Sequence, residues 1–518
     1  MGSLDIIIFV VYGVLIIAVG NWFARSKGKE RNSTDYFFAS KSLPWFLVGS
    51  SIIAANISAE QFIGMSGSGF AIGLGIATYE WIAALILIIV AKYFLPVFIN
   101  KKIFTMPQFL ALRYDNRIKT ILAIFWISLF VFVNLTSILY LGALTLKALF
   151  GIKLIYGIIG LAVFSLLYTI VNGLKAIAST DIIQVFFLLV GGAVTTWFAV
   201  NQVGGNSGII HGFETMIAEI PDKFHMIIKK SDPNYFYLPG IRAIFGGIWI
   251  AGIYYFGANQ YIIQKAFGAK SLREAQKGMV FAGYLKLILP FVVVIPGMAA
   301  FALAADISKP DEAYPWILEN IVPAGIKGLI FAALIAAIVS SFSAIINSTS
   351  TIFTMDLYKP YFNKNASEKH LVAVGRISGI VAMAIAVLVA PLLGSIDQAF
   401  QFIQEYTGMI SPGITAIFVL GLFWKKTTST AALWGTILSI PISAAIKFVI
   451  PGMPFLDQMM VTFLLISGII VVISLLERSE NKNTGLELSR KIFKTDKVFN
   501  LLSIIIIIIL SAIYILFW

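Results

Sequence analysis

The stretch AANISAEQFIGMSGSG, residues 54–69, interrupts an apolar run with polar and small side chains. These are Asn56, Ser58, Glu60, Gln61, Gly64, Gly67 and Gly69. They predict a membrane-spanning helix broken near its middle, whose unwound carbonyls can coordinate a cation and whose half-helix ends can face a ligand. The alternative is a continuous helix whose small residues let a neighbour pack closely and whose serines bond to their own turn. That alternative leaves Glu60 and Gln61 unexplained.

The composition identifies the chain as a polytopic membrane protein. Of its 518 residues, 59% are hydrophobic and 12% are charged, whereas soluble domains carry about 25% charged residues. With no cysteine and three histidines, thiolate metal sites are excluded and little remains for a zinc site. The net charge of +13 resides mainly in short loops between apolar runs, so it does not indicate nucleic-acid binding.

At about 20 residues per crossing, the apolar runs predict an all-α protein with about fourteen spans. They begin near residues 4, 43, 74, 118, 153, 181, 238, 276, 323, 370, 396, 429, 456 and 498. The first run has Asp5 near its start and basic residues after it, so we interpret it as a retained span rather than a signal peptide. The basic residues then fall in alternate loops, which predicts that both termini are extracytoplasmic.

Several other predicted spans also carry polar groups, which are costly in a membrane unless they are paired or face a cavity. Glu80 and Lys286 are candidate ligand residues, although a lysine can also extend its ammonium to the interface. Asp181 opens the sixth predicted span, where it can serve as a ligand or as a helix cap. The eleventh span carries a polar stripe that suits sugar hydroxyls or a helix pair: Asp397, Gln401, Gln404 and Glu405.

The ninth predicted span is rich in hydroxyl groups. It contains Ser340, Ser341, Ser343, Asn347, Ser348, Ser350 and Thr351. Oxygen ligands without a dense cluster of acids suit a weakly held monovalent cation, for which sodium is the reasonable candidate. A helix interface built from small residues is the alternative interpretation.

The second and seventh predicted spans are both polar, and each opens a block of five spans. This spacing predicts two five-helix inverted repeats with broken first helices and a binding site between them. We divide the chain into a peripheral first helix with its cytoplasmic loop, the first repeat, an extracytoplasmic loop, the second repeat and three peripheral helices. The boundaries are 1–41, 42–204, 205–237, 238–424 and 425–518.

Several strings of the sequence resemble a known family. They include AANISAEQFIGMSGSG, YEW, FWISLFVFVNLTS, TDIIQVFF, NQYIIQ, AAIVSS, NSTSTIFTMD, QAFQFIQEYTG and GLFWKKTTS. In this order they closely resemble the solute:sodium symporter family, in particular its bacterial sodium/galactose (sodium/glucose-type) cotransporters, over nearly the whole chain. The resemblance implies fourteen helices, a five-plus-five core and alternating access driven by sodium.

The resemblance also implies which residues bind sodium and sugar. The implied sodium site consists of the carbonyls of Ala54, Ile57 and Ala337 and the hydroxyls of Ser340 and Ser341. The implied sugar site consists of Gln61, Glu80, Lys286, Gln404, Tyr255 and Asn56. The implied outer gate is Met65, Tyr79 and Phe400, and the implied inner gate is Tyr254, Tyr255 and Phe256.

Departures from the family pattern affect the substrate and the number of ions. Ala83 stands where the galactose carriers have a serine, and Gly252 stands where they have an asparagine, so we expect a wider pocket and a different or substituted hexose. Ser343 stands where members coupled to two sodium ions have a hydroxyl that works with an acid matching Asp181. A second sodium site at Ser340, Ser343 and Asp181 is therefore an open hypothesis, against which Ala344 argues.

The predicted function is secondary active transport that couples inward sodium movement to uptake of a monosaccharide: galactose, glucose or a substituted hexose. The alternatives are a sodium symporter for inositol, sialic acid or another organic solute, a channel, or a membrane enzyme. A channel is disfavoured because it requires a continuous polar lining, whereas the polar groups here cluster near the middle of the membrane. A membrane enzyme is disfavoured because the three histidines lie in loops or at a span's edge. We predict that sodium is the co-substrate and that the protein has neither a catalytic residue nor an organic cofactor. The predicted partners are sugar, sodium and lipid, and nucleic acid is not among them.

Overall fold

The computed structural model of the protein describes residues 2–24, 41–58, 60–171, 174–395, 398–477 and 490–518. Within these ranges the chain is helical, and strand-like pairing is limited to one bridge between Leu43 and Ala269. The predicted all-α class is confirmed.

The first half of the chain forms eleven α-helices in order. They are α1 (Ser3–Ala24), α2 (Trp45–Asn56), α3 (Ser66–Ala71), α4 (Thr78–Ile89), α5 (Leu95–Asn100), α6 (Met106–Arg113), α7 (Asn116–Leu129), α8 (Thr136–Phe150), α9 (Leu154–Val171), α10 (Leu174–Val203) and α11 (Ile209–Glu219). Turns of π-helix at Glu60–Met65, Val90–Phe94 and Phe130–Leu135 lie directly before α3, α5 and α8.

The second half adds twelve α-helices, numbered on from the first. They are α12 (Gly240–Phe245), α13 (Gly247–Ile253), α14 (Gln260–Phe267), α15 (Leu272–Ala302), α16 (Ala313–Asn320), α17 (Ile326–Ile352), α18 (Lys359–Tyr361), α19 (Glu368–Val389), α20 (Ala399–Phe423), α21 (Ser429–Val449), α22 (Phe455–Glu477) and α23 (Lys497–Leu516). A π-helical turn at Tyr254–Ala258 separates α13 from α14.

The described residues contain ten helices long and apolar enough to cross a membrane, or twelve if each of two bent pairs is one span. The bent pairs are Trp45–Asn56 with Gln61–Ala71, at 65°, and Pro233–Phe245 with Gly247–Ala258, at 76°. These pairs confirm the predicted breaks in the second and seventh spans. Shorter apolar helices at Ser3–Leu15 and Leu154–Leu167 occupy the positions of two further predicted spans, so the count of fourteen stays a prediction.

The breaks have local causes in the sequence. In the second span, Ile57 leaves the helix with an extended backbone (φ −77°, ψ 103°). In the seventh span, Gly246 adopts φ −122° and ψ −113°, and Asn259 is extended after the π-helical turn. A side chain at Gly247 would collide with the backbone of Leu456, so this broken helix lies close against α22.

Helix α15, the eighth predicted span, packs along both halves of the broken second span. A Cβ on Gly297 would collide with the carbonyl of Ser66, and a Cβ on Gly69 would lie 2.6 Å from the carbonyl of Val294. Gly67 is equally tight, since its Cβ would lie 2.7 Å from Asp311 Oδ1. The glycines of the opening stretch therefore allow close helix packing, as the alternative interpretation predicted. The span is nevertheless broken, as the first interpretation predicted.

The two ends of the second span lie at opposite faces of the protein, which we distinguish by the loops that they carry. The connection between α10 and α12 covers the end of α3, where Lys223 Nζ donates to the carbonyls of Phe70 at 3.0 Å and Ala71 at 2.5 Å. Burial at this position lowers the pKa of Lys223. We name this side the long-loop face, and the opposite side, which carries Lys101 and Lys102 after α5, the basic-loop face.

Candidate functional site

Both broken spans contribute to one cavity inside the helix bundle. The cavity volume is about 70 Å³, which is room for several water molecules and so for one small polar solute. Its polar lining consists of Asn56, Gln61, Tyr79, Glu80, Asn134, Tyr255, Asn259, Lys286, Gln404 and Thr407. The structure thus brings all six predicted sugar-binding residues to one place.

A buried ion pair forms one wall of the cavity. Lys286 Nζ donates to Glu80 Oε2 and to Asn56 Oδ1. The Lys286 side chain is 1% exposed, so it does not extend to the interface. Since an isolated buried charge is strongly unfavourable, each partner requires the other. The sequence placed both charges inside the membrane, and the structure adds that they pair.

Asn56 connects this ion pair to the tyrosine predicted at the inner gate. Its amide Nδ2 donates to Tyr255 Oη at 3.1 Å, and Tyr261 Oη donates to the same oxygen at 2.6 Å. The Lys286 ammonium lies 5.6 Å from the centre of the Phe256 ring, within the range of a cation–π contact. Tyr255 and Phe256 line the cavity, whereas Tyr254 is fully buried and is not among the lining residues.

Aromatic side chains close the cavity toward the long-loop face. Tyr79 and Phe400 meet edge to face, with ring centres 5.4 Å apart. Gly64 permits this arrangement, because a Cβ there would lie 2.9 Å from Phe400 Cβ. Met65, which follows Gly64 in the sequence, is fully buried but is not among the residues that line the cavity. Of the three predicted outer-gate residues, two therefore touch the cavity.

The polar stripe predicted for the eleventh span divides among several environments. Gln404 lines the cavity, while Glu405 forms an ion pair with Lys447 at 2.8 Å. Gln401 is buried, and neither of its amide atoms has a hydrogen-bond partner among the described residues. Asp397 lies outside the described residues.

Asn134 is a cavity residue to which the sequence interpretation gave no role. It lies in the π-helical turn Phe130–Leu135, lines the cavity and is buried. Its Oδ1 has no hydrogen-bond partner among the described residues. A buried amide oxygen without a partner costs free energy unless a ligand or water supplies a donor. The sequence signal that could have identified Asn134 was its position as a single amide in an apolar span.

Backbone carbonyls at the break of the second span surround the hydroxyl of Ser341. Ser341 Oγ lies 3.3 Å from the carbonyl oxygen of Ala54 and 3.4 Å from those of Ala55 and Ile57. One hydroxyl has a single proton to donate. Most of the acceptor capacity of these three carbonyls therefore remains for a cation. The structure brings Ala54, Ile57 and Ser341 together as expected, and adds Ala55.

The other two predicted sodium ligands are on α17 with Ser341. Ala337 is buried and precedes Ser341 by one helical turn. Ser340 is buried too, but its hydroxyl donates to Asp181 Oδ1 at 2.5 Å. Among the described residues, no group of three or more His, Cys, Asp or Glu side chains could hold a metal ion, so the candidate cation ligands here are hydroxyl and carbonyl oxygens.

Of the three residues of the hypothetical second sodium site, Ser340 and Asp181 contact each other, whereas Ser343 has other hydrogen-bond partners. Ser343 Oγ donates to the carbonyl of Val339 at 2.8 Å and lies 2.6 Å from Thr169 Oγ1. Asp181 interacts with Lys265, as well as with two serines. Asp181 also lies well inside α10 rather than at its start, which removes the helix-cap interpretation.

The two departures from the family pattern give the cavity an apolar wall. Ala83 and Gly252 both line it. A Cβ on Gly252 would overlap Ile86 Cδ1, so Ile86 already fills the space of a side chain at that position. At Gly252 the missing polar group is therefore replaced by hydrocarbon, and the wider pocket stays a prediction.

These features agree with what comparison with known proteins finds. Residues 36–439 match the model of the sodium:solute symporter family. The chain belongs to this family, whose members couple sodium to solute uptake.

Individual relatives extend the similarity over the full chain. The sequence is 51% identical to a sodium/glucose cotransporter of Vibrio parahaemolyticus, covering 100% of this chain and 99% of the relative. It is 32% identical to the human sodium/myo-inositol cotransporter 2, covering 84% of this chain and 68% of the relative. The fold is similar to the substrate-bound, outward-open structure of a Na⁺-coupled sialic acid symporter, with a TM-score of 0.81 at 24% identity over 92% of this chain and 98% of that one.

Removing one member of the buried ion pair should destabilise the protein more than removing both. Lys286→Met leaves the Glu80 carboxylate buried without its cation, at a cost of about 3–5 kcal/mol. Glu80→Gln combined with Lys286→Met should recover much of this loss. Thermal unfolding of the purified variants in detergent measures the difference, and additive losses in the double variant would contradict the pairing.

Ser341→Ala should raise the sodium concentration needed for half-maximal activation by about tenfold, while solute binding without sodium changes little. The physical reason is the loss of a ligand that faces three carbonyls. Thr349→Val is the matched control, because this hydroxyl lies on the same helix and donates only to Ile345 of its own turn in the described contacts. Equal losses in both assays for Ser341→Ala would make it a packing residue.

Proposed function

We propose that this symporter couples inward sodium movement to uptake of a neutral monosaccharide by alternating access. The proposal rests on one observation: the break of the second span contributes residues both to the proposed sodium site and to the cavity. Ala54 and Ile57 present carbonyls to Ser341, and Asn56 between them reaches Lys286 and Tyr255. A cation that fixes these carbonyls thereby also fixes the cavity wall that contacts the solute.

The chemistry of the lining favours a sugar. Amide, carboxylate and ammonium groups suit the hydroxyl edge of a pyranose, and aromatic rings such as Tyr255 suit its C–H face. The relatives named above are sodium cotransporters for glucose and myo-inositol, which supports a polyhydroxylated solute. Asn134, with its unpartnered amide oxygen, joins the predicted sugar-binding residues in this proposal.

The charge balance of the cavity favours a neutral solute over an anion. Glu80 and Lys286 are the charged residues of its lining, and they pair with each other. A carboxylate substrate would have to separate them or enter without a counter-charge, which is costly in a buried site. Sialic acid is therefore the weaker candidate, and the cyclic polyol inositol is the second candidate behind a hexose.

Sodium supplies the driving force in this mechanism. One ion that crosses about 100 mV down a tenfold gradient releases roughly 2.3 plus 1.4 kcal/mol. This free energy supports accumulation of the sugar by about 500-fold per coupled ion. Sodium acts as co-substrate, and the proposal assigns no organic cofactor and no catalytic step to the protein.

The orientation follows from the charges of the loops. In the proposal the long-loop face is extracytoplasmic and the basic-loop face is cytoplasmic, in a bacterial-type inner membrane. Tyr79 and Phe400 then form the outer gate, and Tyr255 with its hydrogen bonds to Asn56 and Tyr261 forms the inner gate. The repeats 42–204 and 238–424 move against each other, while 1–41 and 425–518 are peripheral.

The apolar wall narrows the class of sugar. It comprises Ala83, Ile86, Ile248, Ala251, Gly252 and Met459. A hydroxyl directed at this wall loses water without gaining a partner, at a cost of about 1–3 kcal/mol. We therefore favour a hexose that carries a methyl or acyl group, or lacks a hydroxyl, at the edge facing the wall.

Proteoliposomes containing the purified protein test the main proposal. Labelled glucose, galactose, N-acetylglucosamine, inositol and sialic acid are supplied with and without an inward sodium gradient. A neutral sugar should accumulate only with the gradient. Preferential accumulation of sialic acid, or equal uptake without sodium, would contradict the proposal.

Matched pairs of sugars test the role of the apolar wall. D-galactose is compared with its 6-deoxy form, and D-glucose with its 6-deoxy and N-acetyl forms, as competitors of uptake. At least one derivative should inhibit at about tenfold lower concentration than its parent, since this corresponds to about 1.4 kcal/mol. Ala83→Ser, which restores a hydroxyl to the wall, should reduce the difference. If both parent sugars compete better than all derivatives, the wall does not select the substrate.

A further inference from the structure

A second buried ion pair lies next to the proposed sodium site. Lys265 Nζ, from α14, is 3.2 Å from Asp181 Oδ2, from α10. Their side chains are 1% and 0% exposed. This pair is separate from Glu80–Lys286 and does not line the sugar cavity.

Two hydroxyls complete the surroundings of the Asp181 carboxylate. Ser51 Oγ, from α2, donates to Oδ2, and Ser340 Oγ, from α17, donates to Oδ1 at 2.5 Å. Ser340 is adjacent in sequence to Ser341, whose hydroxyl faces the carbonyls of the broken span. Four helices therefore converge on one carboxylate, one residue away from the sodium site.

This arrangement has the ligand chemistry of a cation site, and a cation of the chain itself occupies it. A carboxylate and two hydroxyls are suitable oxygen ligands for sodium. The lysine ammonium is a compact positive charge that already neutralises Asp181. An incoming ion would have to displace it and leave a buried ammonium without a counter-charge. Ser343 is also engaged, by Thr169 and Val339.

We propose that Lys265 is a tethered cation that takes the place of a second sodium ion at Asp181, and so limits the protein to one sodium per solute. This inference rests on the proposed sodium-coupled function and concerns its stoichiometry. Lys265 acts here as a residue that determines ion number and not as a ligand of the sugar. In this proposal the hypothetical second sodium site at Ser340, Ser343 and Asp181 can bind an ion only when the lysine charge is removed.

Lys265→Met should convert the protein from one coupled sodium to two. The substitution keeps an unbranched side chain but leaves Asp181 buried with two hydroxyls and no counter-charge, which a sodium ion can supply. Asp181→Asn combined with Lys265→Met removes both charges and should return the number to one. Lys265→Arg retains the charge and should also give one.

The stoichiometry is measured as the membrane voltage at which net flux of the transported sugar is zero in proteoliposomes with fixed sodium and sugar gradients. The expected numbers of sodium ions per sugar are one for the wild type, two for Lys265→Met, and one for the double variant and for Lys265→Arg. A value of one for a folded, transporting Lys265→Met variant would overturn the proposal.

Binding of radioactive sodium to the purified wild type provides a test that does not require any variant to fold. One saturable sodium per chain supports the proposal, and two overturn it, whether or not a sugar substrate is known. Failure of the proposed function would appear differently, as absence of sodium-driven uptake of any sugar by the wild type. The two failures are therefore distinguishable.

Discussion

Within the hydrocarbon core of a membrane, every backbone polar group must find a partner inside the protein. In the second span Ile57 still donates its N–H to the carbonyl of Ile53, but its extended backbone ends the helix. Much of the proposed mechanism depends on how the carbonyls at this break are satisfied. The carbonyls of Ala54, Ala55 and Ile57 converge on the hydroxyl of Ser341 from another helix. Because that single hydroxyl cannot saturate three carbonyls, a monovalent cation is the natural further partner.

The same break explains why two solutes can be coupled. Asn56 lies between the carbonyls of the proposed sodium site, and its side chain reaches the other way, to Lys286 and Tyr255. An ion that orders the carbonyls orders this side chain without direct contact with the sugar. In the proposed mechanism the coupling free energy resides in this short segment, which contacts both sites. Close glycine packing against α15 keeps the two half-helices in place around it.

Intramembrane polarity is rare and therefore informative, and it was sufficient to predict the helical class and both broken spans. The resemblance to the family, rather than polarity alone, implied which residues line the cavity and its gates. The sequence could not predict contacts between distant helices. Glu80 and Lys286 were both recognised, but their pairing depends on how α4 meets α15. For the same reason the sequence could not predict that Ile86 of another helix lies beside Gly252. Asn134 was overlooked because a single amide forms no pattern.

The most direct test of this account is whether sodium and sugar binding are reciprocally linked through Asn56. Sugar affinity is measured with and without saturating sodium, and sodium affinity with and without saturating sugar, on purified protein in nanodiscs. The account predicts that both affinities change by the same factor, and that Asn56→Ala reduces this factor while sodium affinity without sugar is retained. A sugar affinity that does not depend on sodium in the wild type would contradict the central claim.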